Sequence, residues 1–233
     1  MIVRAPRHQI VWLVRHGETN WNRMGWIQGH LDSPRLTGRG RAQARRVASL
    51  LATKEVGAVY SSDLRRARDT ADPVARAVGC AVLTDPRLRE RSFGLLEGSP
   101  NGTLRPEVTG IAAGRVVDTA ARPVAGESLA QLADRCADFV SWLDTRPDDG
   151  DVVIVAHGGS IRLLRAVLAG TPVLGMAWGT VANASVHRLT VPPIPAGPGP
   201  GAAIHAVGHP LPRAVTSPPA PPGATMGGWT PPC

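Results

Sequence analysis

The chain has 233 residues, 43% of them apolar, and a formal charge of +8, which suits one well-buried core or, less simply, two small ones. Lys54 is the only lysine among 26 basic residues, the arginines are scattered, and aromatics make up 4%. No basic run is interleaved with aromatic side chains, so nucleic-acid binding is disfavoured and a small anionic substrate fits the charge equally well.

Cys80, Cys136 and Cys233 form no C-x-x-C pair and no zinc spacing. No stretch nears the roughly 18 apolar residues of a membrane span, and the apolar run 10–14 is too short for a signal peptide. A reduced, cytoplasmic protein is the expectation.

Along the chain, residues 9–14 read as a strand buried on both faces. A polar loop follows through Pro34. Thr37 is placed to cap a helix reaching about Ala52, with Ala44, Val47, Ala48 and Leu51 on one face. Residues 57–61 form a second strand. Asp63 is expected to cap a helix that Gly79 stops and that Pro73 should kink or split. A third strand spans 81–85. Residues 98–126, rich in glycine and without a clear period, read as a long loop or lid. A helix from about Ser128 to Thr145 presents Leu129, Leu132, Cys136, Phe139, Val140 and Leu143. Residues 151–158 give a fourth strand and its histidine turn, 160–169 a helix, and 184–189 a fifth strand. Strands alternating with helices predict an α/β domain with a mostly parallel sheet. After Thr190 the chain turns proline-rich: 191–201 reads as a loop, "AAIHAVGHP" as one more edge strand, and 212–233 as a disordered tail, so the domain is expected to span 1–211.

Two segments share a design. "VWLVRHGET" and "VVIVAHGGS" each run from apolar strand to histidine to glycine, which would bring His16 and His157 to the carboxyl edge of one parallel sheet. One such turn alone is commonplace. The pair, with Arg15 at the end of a buried strand, asks for an anion, because a buried cation is costly without one. Arg65, in the first turn of a helix whose dipole disfavours a cation, is either solvated or reaching for an oxyanion.

Taken together, "LVRHGETNWN", "IQGHLDSP", "SSDLRRARDTA", "LRERSFGLLEG", "AGES" and "VVIVAHGGSIR" resemble the histidine phosphatase superfamily, the phosphoglycerate mutase-like group (branch 1), over about residues 9–190. The resemblance implies a three-layer α/β/α sandwich and covalent phosphoryl transfer. It makes His16 the nucleophile, Arg15 and Arg65 the phosphate grips, His157 a transition-state stabiliser best charged, and Glu90 the proton donor and acceptor. Asn22, Gln28, Gly29, Gly158 and Gly159 would contact phosphate or substrate. Glu97 and Asn183 are expected to be structural, His30 to have no role, and Trp21 and Trp26 either to stack on substrate or to pack.

No metal or cofactor is implied. The segment between Glu90 and His157 looks short beside the insertion that mutases of the family carry, which favours a phosphatase. Mutase-type transfer and a non-catalytic phospho-ligand-binding relative are the alternatives. The expected partner is a small phosphorylated metabolite, with a homodimer left open, and neither nucleic acid nor membrane.

Overall fold

In the computed structural model, residues 9–146 and 150–191 are described, all within one unit of the chain, Met1–Pro195. Along it run β1 (Gln9–Arg15), α1 (Asn20–Met24), α2 (Gly38–Leu51), β2 (Val56–Ser61), α3 (Arg65–Val78), β3 (Val82–Thr84), α4 (Pro106–Thr109), β4 (Ile111–Ala112), β5 (Arg115–Val116), α5 (Leu129–Leu143), β6 (Asp151–Ala156), α6 (Gly158–Leu168) and β7 (Val186–Val191). The main sheet has the order β3-β2-β6-β1-β7. Its first four strands are parallel, and β7 closes the edge antiparallel to β1.

The two-sided burial of β1 follows from strand alternation. Val11 and Leu13 join Val152, Ile154 and Ala156 on one face, under Leu132, Cys136 and Phe139 of α5 and Ile161, Leu163 and Leu164 of α6. Trp12 and Val14 join Val153 and Val155 on the other, under Val47, Ala48 and Leu51 of α2 and Ala67, Ala71 and Val74 of α3. The result is a helix–sheet–helix sandwich of mostly parallel strands.

Local signals place most helix ends. The Thr37 hydroxyl accepts from Gly40 N, and Ser128 forms a capping box with Gln131. Gly79 stops α3 with φ 73°.

Three expectations are corrected. Asp63 does not cap α3; Leu64 holds that position without a side-chain bond, and Asp63 instead pairs with Arg89 at 2.5 Å. Of the kink or split expected at Pro73, the split does not occur, because α3 runs unbroken from Arg65 to Val78, held by the buried face of Ala67, Ala71 and Val74. The region 98–126 is not one open loop but contains α4 and the β4–β5 hairpin. In addition, α6 starts at Gly158, directly after the histidine. The edge strand in "AAIHAVGHP", residues 192–201 of the proline-rich loop, the tail 212–233 and the boundary at 211 lie outside the described residues.

The turn after β1 lies against the start of α2, backbone to backbone. A Cβ on Gly40 would come within 2.1 Å of the Glu18 carbonyl oxygen, and one on Gly17 within 2.5 Å of the Gly40 oxygen. At Gly38, in the same helix, a Cβ would meet nothing within 4 Å. Gly40→Ala is therefore expected to destabilise the fold by about 1–3 kcal/mol through overpacking, whereas Gly38→Ala should stabilise it by about 0.5–1 kcal/mol. Urea unfolding of the two variants checks this, and equal effects would refute the backbone contact.

Candidate active site

The site begins with the register of two parallel strands. Arg15 lies opposite Ala156, so the next residues, His16 and His157, leave the sheet at the same level. The His16 N–H donates to the Ala156 carbonyl at 3.0 Å, and the two imidazole centroids are 5.2 Å apart. Both rings are buried.

The carbonyl of Gly17 can only accept, so its 2.8 Å contact puts the His16 proton on Nδ1 and leaves the Nε2 lone pair free. His157 Nε2 meets the Ser62 hydroxyl at 2.9 Å. Ser62 is there because β2 runs parallel to β6, with Ser62 N bonded to the Val155 carbonyl at 2.9 Å. Burial first, and then the guanidinium of Arg66, pushes both histidines well below the ordinary 6.5. The family resemblance implies a charged His157; within this chain's own surroundings it is neutral.

The cations differ from expectation by one residue. Arg65 is half exposed on the outside of α3 and pairs with Asp69 at 3.6 Å, one helical turn on. Arg66 is the arginine that points inward, 1% exposed. Its Nη2 donates to the Gly29 carbonyl at 2.7 Å and its Nη1 to that of Leu31 at 2.8 Å. The physical reason is helical phase. The buried face of α3 includes Arg66, Thr70 and Val74, spaced by four, whereas Arg65 and Asp69 share a more exposed face. Burial lowers Arg66 to about 10, which still leaves it charged at neutral pH. Arg15 bonds the Val181 carbonyl through Nη1 at 2.5 Å.

Among the described residues, four buried side-chain polar atoms lack a hydrogen-bond partner: Arg15 Nε, Arg66 Nε, His157 Nδ1 and Gln28 Oε1. Two of them are guanidinium donors. Buried donors are rarely left unpaired, so these mark a place for an acceptor-rich group.

Glu90 closes the other side. Its two carboxylate oxygens accept from Gly159 N at 3.0 and 3.1 Å, at the N-terminus of α6 where the helix dipole favours an anion. Oε1 also takes the Arg91 N–H at 2.9 Å, so Oε2 carries fewer bonds. The main chain of the segment is clamped. Arg135 of α5 donates to the carbonyls of Arg87, Arg89 and Glu90, each at 2.7 Å, while Glu127 holds the same guanidinium in a bidentate pair. His30, expected to be idle, meets the Glu90 carbonyl through Nε2 at 2.8 Å. Glu97 accepts the N–H groups of His30 and Phe93, a structural use. Arg91, buried, donates to the carbonyls of Val108, Thr109, Ala121 and Glu127 and so ties this segment to the residue next to Glu90.

Of the other expected contacts, Asn22 sits in α1 with Oδ1 occupied by Thr19 and Asn183. Its Nδ2 donates to no described residue. Asn183 Nδ2 also reaches the His16 carbonyl at 3.2 Å. Gly29, with φ 45°, lends its carbonyl to Arg66, and a Cβ there would collide with Glu97. Gln28 is buried nearby. Gly158 and Gly159 form the first turn of α6, with Gly159 committed to Glu90. Trp21 and Trp26 pack edge to face on each other at 5.4 Å. Sequence reasoning missed Arg66, Ser62 and Arg135. Helical phase on α3 could have found Arg66; Ser62 and Arg135 act through tertiary contacts that no local pattern displays. Among the described residues no set of three or more His, Cys, Asp or Glu is gathered as for a metal, and no helix is long and apolar enough to cross a membrane.

The histidine phosphatase superfamily (branch 1) matches residues 11–193. A protein of Serratia proteamaculans (strain 568) named "Probable phosphoglycerate mutase GpmB" is 37% identical over 187 residues, covering 77% of this chain and 83% of its own. A mycobacterial glucosyl-3-phosphoglycerate phosphatase solved with VO3 is similar at 35% identity and TM-score 0.68, over 77% of this chain and 90% of that one. The α-ribazole phosphatase of Shigella flexneri is similar at 31% identity and TM-score 0.63, over 71% and 82%. The fold and the paired-histidine edge thus define a phosphoglycerate mutase-like α/β protein. The chain belongs to the histidine phosphatase superfamily, branch 1.

Two buried neutral histidines carry a pH signature. Below about pH 6.5 the unfolded chain takes up protons that the folded one refuses, so stability falls as the pH falls, by up to about 1.4 kcal/mol per pH unit for each. Unfolding free energy in phosphate-free buffer should drop between pH 7 and 5, and drop less in a variant carrying both His16→Gln and His157→Gln. Equal slopes would contradict the neutral assignment.

Proposed function

We propose that the protein is a phosphatase that hydrolyses a small phosphomonoester through a phosphohistidine on His16. The observation that carries this reading is the fixed tautomer of His16: Nδ1–H is held by the Gly17 carbonyl, and Nε2 keeps a lone pair in a pocket that burial keeps neutral. Beside it are the unpaired Nε donors of Arg15 and Arg66, suited to the charge spread over a transferring phosphoryl group.

In the first step the phosphorus–nitrogen bond to His16 forms as the ester phosphorus–oxygen bond breaks. Glu90, protonated on the less engaged Oε2, delivers that proton to the departing alkoxide. In the second, water attacks phosphorus, Glu90 takes up the water proton, and the phosphorus–nitrogen bond breaks to free inorganic phosphate. A dianionic phosphoryl group against His157 favours its charged form, opposing the burial that holds it neutral.

Hydrolysis is preferred over transfer to a second hydroxyl because the solved relatives named above are phosphatases. The segment between Glu90 and α5 is also short and holds only small elements, without a long added domain. Mutase-type transfer is the second reading, favoured by the name of the relative at 37% identity. The physiological site of action proposed is the cytoplasm.

His16→Ala is expected to abolish both activity and acid-labile labelling by a phosphorus-32 substrate. Full activity in that variant would end the proposal. Arg66→Met should lower kcat/KM by about 100-fold or more, whereas Arg65→Met should change it by less than about 3-fold. The reverse order would restore Arg65 as the phosphate grip.

Glu90→Gln should slow esters of poorly leaving alcohols far more than those of good ones, read as a steeper dependence of kcat/KM on leaving-group basicity. Equal losses across the series would exclude the acid role.

A further inference from the structure

We infer that Arg162 is a specificity-determining residue that reads a second anionic group on the substrate, carried by the alcohol close to the ester oxygen. The inference rests on the phosphatase reading above and concerns a residue given no part in it so far.

Arg162 lies on α6 four residues after Gly158, so the two share one face of the helix. Gly158 has no side chain, and three groups converge on the space a Cβ would fill. That position is 3.3 Å from Arg162 Nη1, 3.7 Å from Glu90 Oε2 and 3.8 Å from Arg15 Nε. Arg162 therefore brings a third guanidinium to the pocket. It comes in beside the Glu90 oxygen that faces the departing alkoxide. With the phosphoryl group given to Arg15 and Arg66, a cation beside the proton-delivering oxygen is assigned to the alcohol part of the substrate.

The guanidinium is held ready. Nε donates to the Gly179 carbonyl at 2.7 Å, and Cζ lies over the Trp178 ring, 4.7 Å from its centroid. Neither Nη1 nor Nη2 bonds a described residue, and Arg162 forms no ion pair with Glu90. Burial works against its charge, Glu90 supports it and Arg15 opposes it. An anionic group would supply the missing acceptors.

The lid sets this placement. The β4–β5 hairpin is joined to the 175–178 segment by Val116 N to the Met176 carbonyl at 3.0 Å and Trp178 N to the Gly114 carbonyl at 2.7 Å. Trp178 and Gly179 are the residues that fix Arg162. The region between Glu90 and α5 thus contributes to selection by positioning a cation.

The test compares kcat/KM for O-phospholactate, which carries a carboxylate beside the ester carbon, for the bisphosphate of propane-1,2-diol, which carries a phosphate there, and for neutral O-phospholactamide. The wild-type enzyme should prefer at least one charged probe over the amide, and which one names the anion. In Arg162→Gln that preference should shrink by about 10- to 100-fold, the effect of losing a charged hydrogen bond. Arg162→Lys, which keeps the charge and loses the fork, should keep part of it. A wild-type enzyme indifferent to charge, or an Arg162→Gln variant that loses the same factor on all three probes, overturns the inference and leaves the phosphatase reading standing. Failure of the wild-type enzyme to hydrolyse any phosphomonoester overturns both.

Discussion

The site depends on the register between β1 and β6. Because these strands run parallel with Arg15 opposite Ala156, two His-Gly turns far apart in sequence emerge side by side. A slip of one residue would turn the side chains of the shifted strand to the opposite face. A slip of two would separate the rings by about 6.6 Å more along the strands. The close packing of particular side chains under the helices on both faces of β1 and β6 opposes either. The core that stabilises the fold is therefore what sets the distance between His16 and His157, and Ser62 is brought in by the same ladder through β2.

Around this pair the protein solves the difficulty of burying several cations together. Arg66 and Arg135 are held by backbone carbonyls, as is Arg91, and Glu127 neutralises Arg135. Glu90 is the carboxylate the structure gives to the pocket itself, seated on the N-terminus of α6. The balance leaves an excess of donors facing His16, the electrostatic form a phosphoryl group requires. It also keeps both histidines neutral, which suits a nucleophile at one and makes the charge of the other depend on what is bound.

The segment between Glu90 and α5 belongs to this arrangement. Arg91, next to Glu90 in sequence, ties it to the acid segment through four carbonyls. The hairpin ties it to the strip that carries Trp178. A region rich in glycine and short of apolar periodicity is thus ordered by long side chains reaching in from the body. Two-residue strands have too few bonds of their own to leave a mark on the sequence, which is why the hairpin was not legible there.

Much of the remaining fold was legible, and for definite reasons. Apolar runs ending in His-Gly fixed the two central strands, and the Thr37, Ser128 and Gly79 signals placed three helix ends, because each rests on interactions within a few residues. The family motifs located His16, Glu90 and His157, and the structure brings these together. Arg65 against Arg66 shows where such reading stops. One residue on a helix is a turn of about 100°, and which side of that turn meets the core is decided by the packing of Ala67, Ala71 and Val74. The amino-acid sequence by itself determined the strands, the caps and the pair of histidine turns, since these depend on local periodicity and chain stiffness. Only the tertiary structure decided which arginine faces the pocket, which groups clamp Glu90 and where Arg162 points. Those follow from register, helix phase and carbonyls supplied by distant segments.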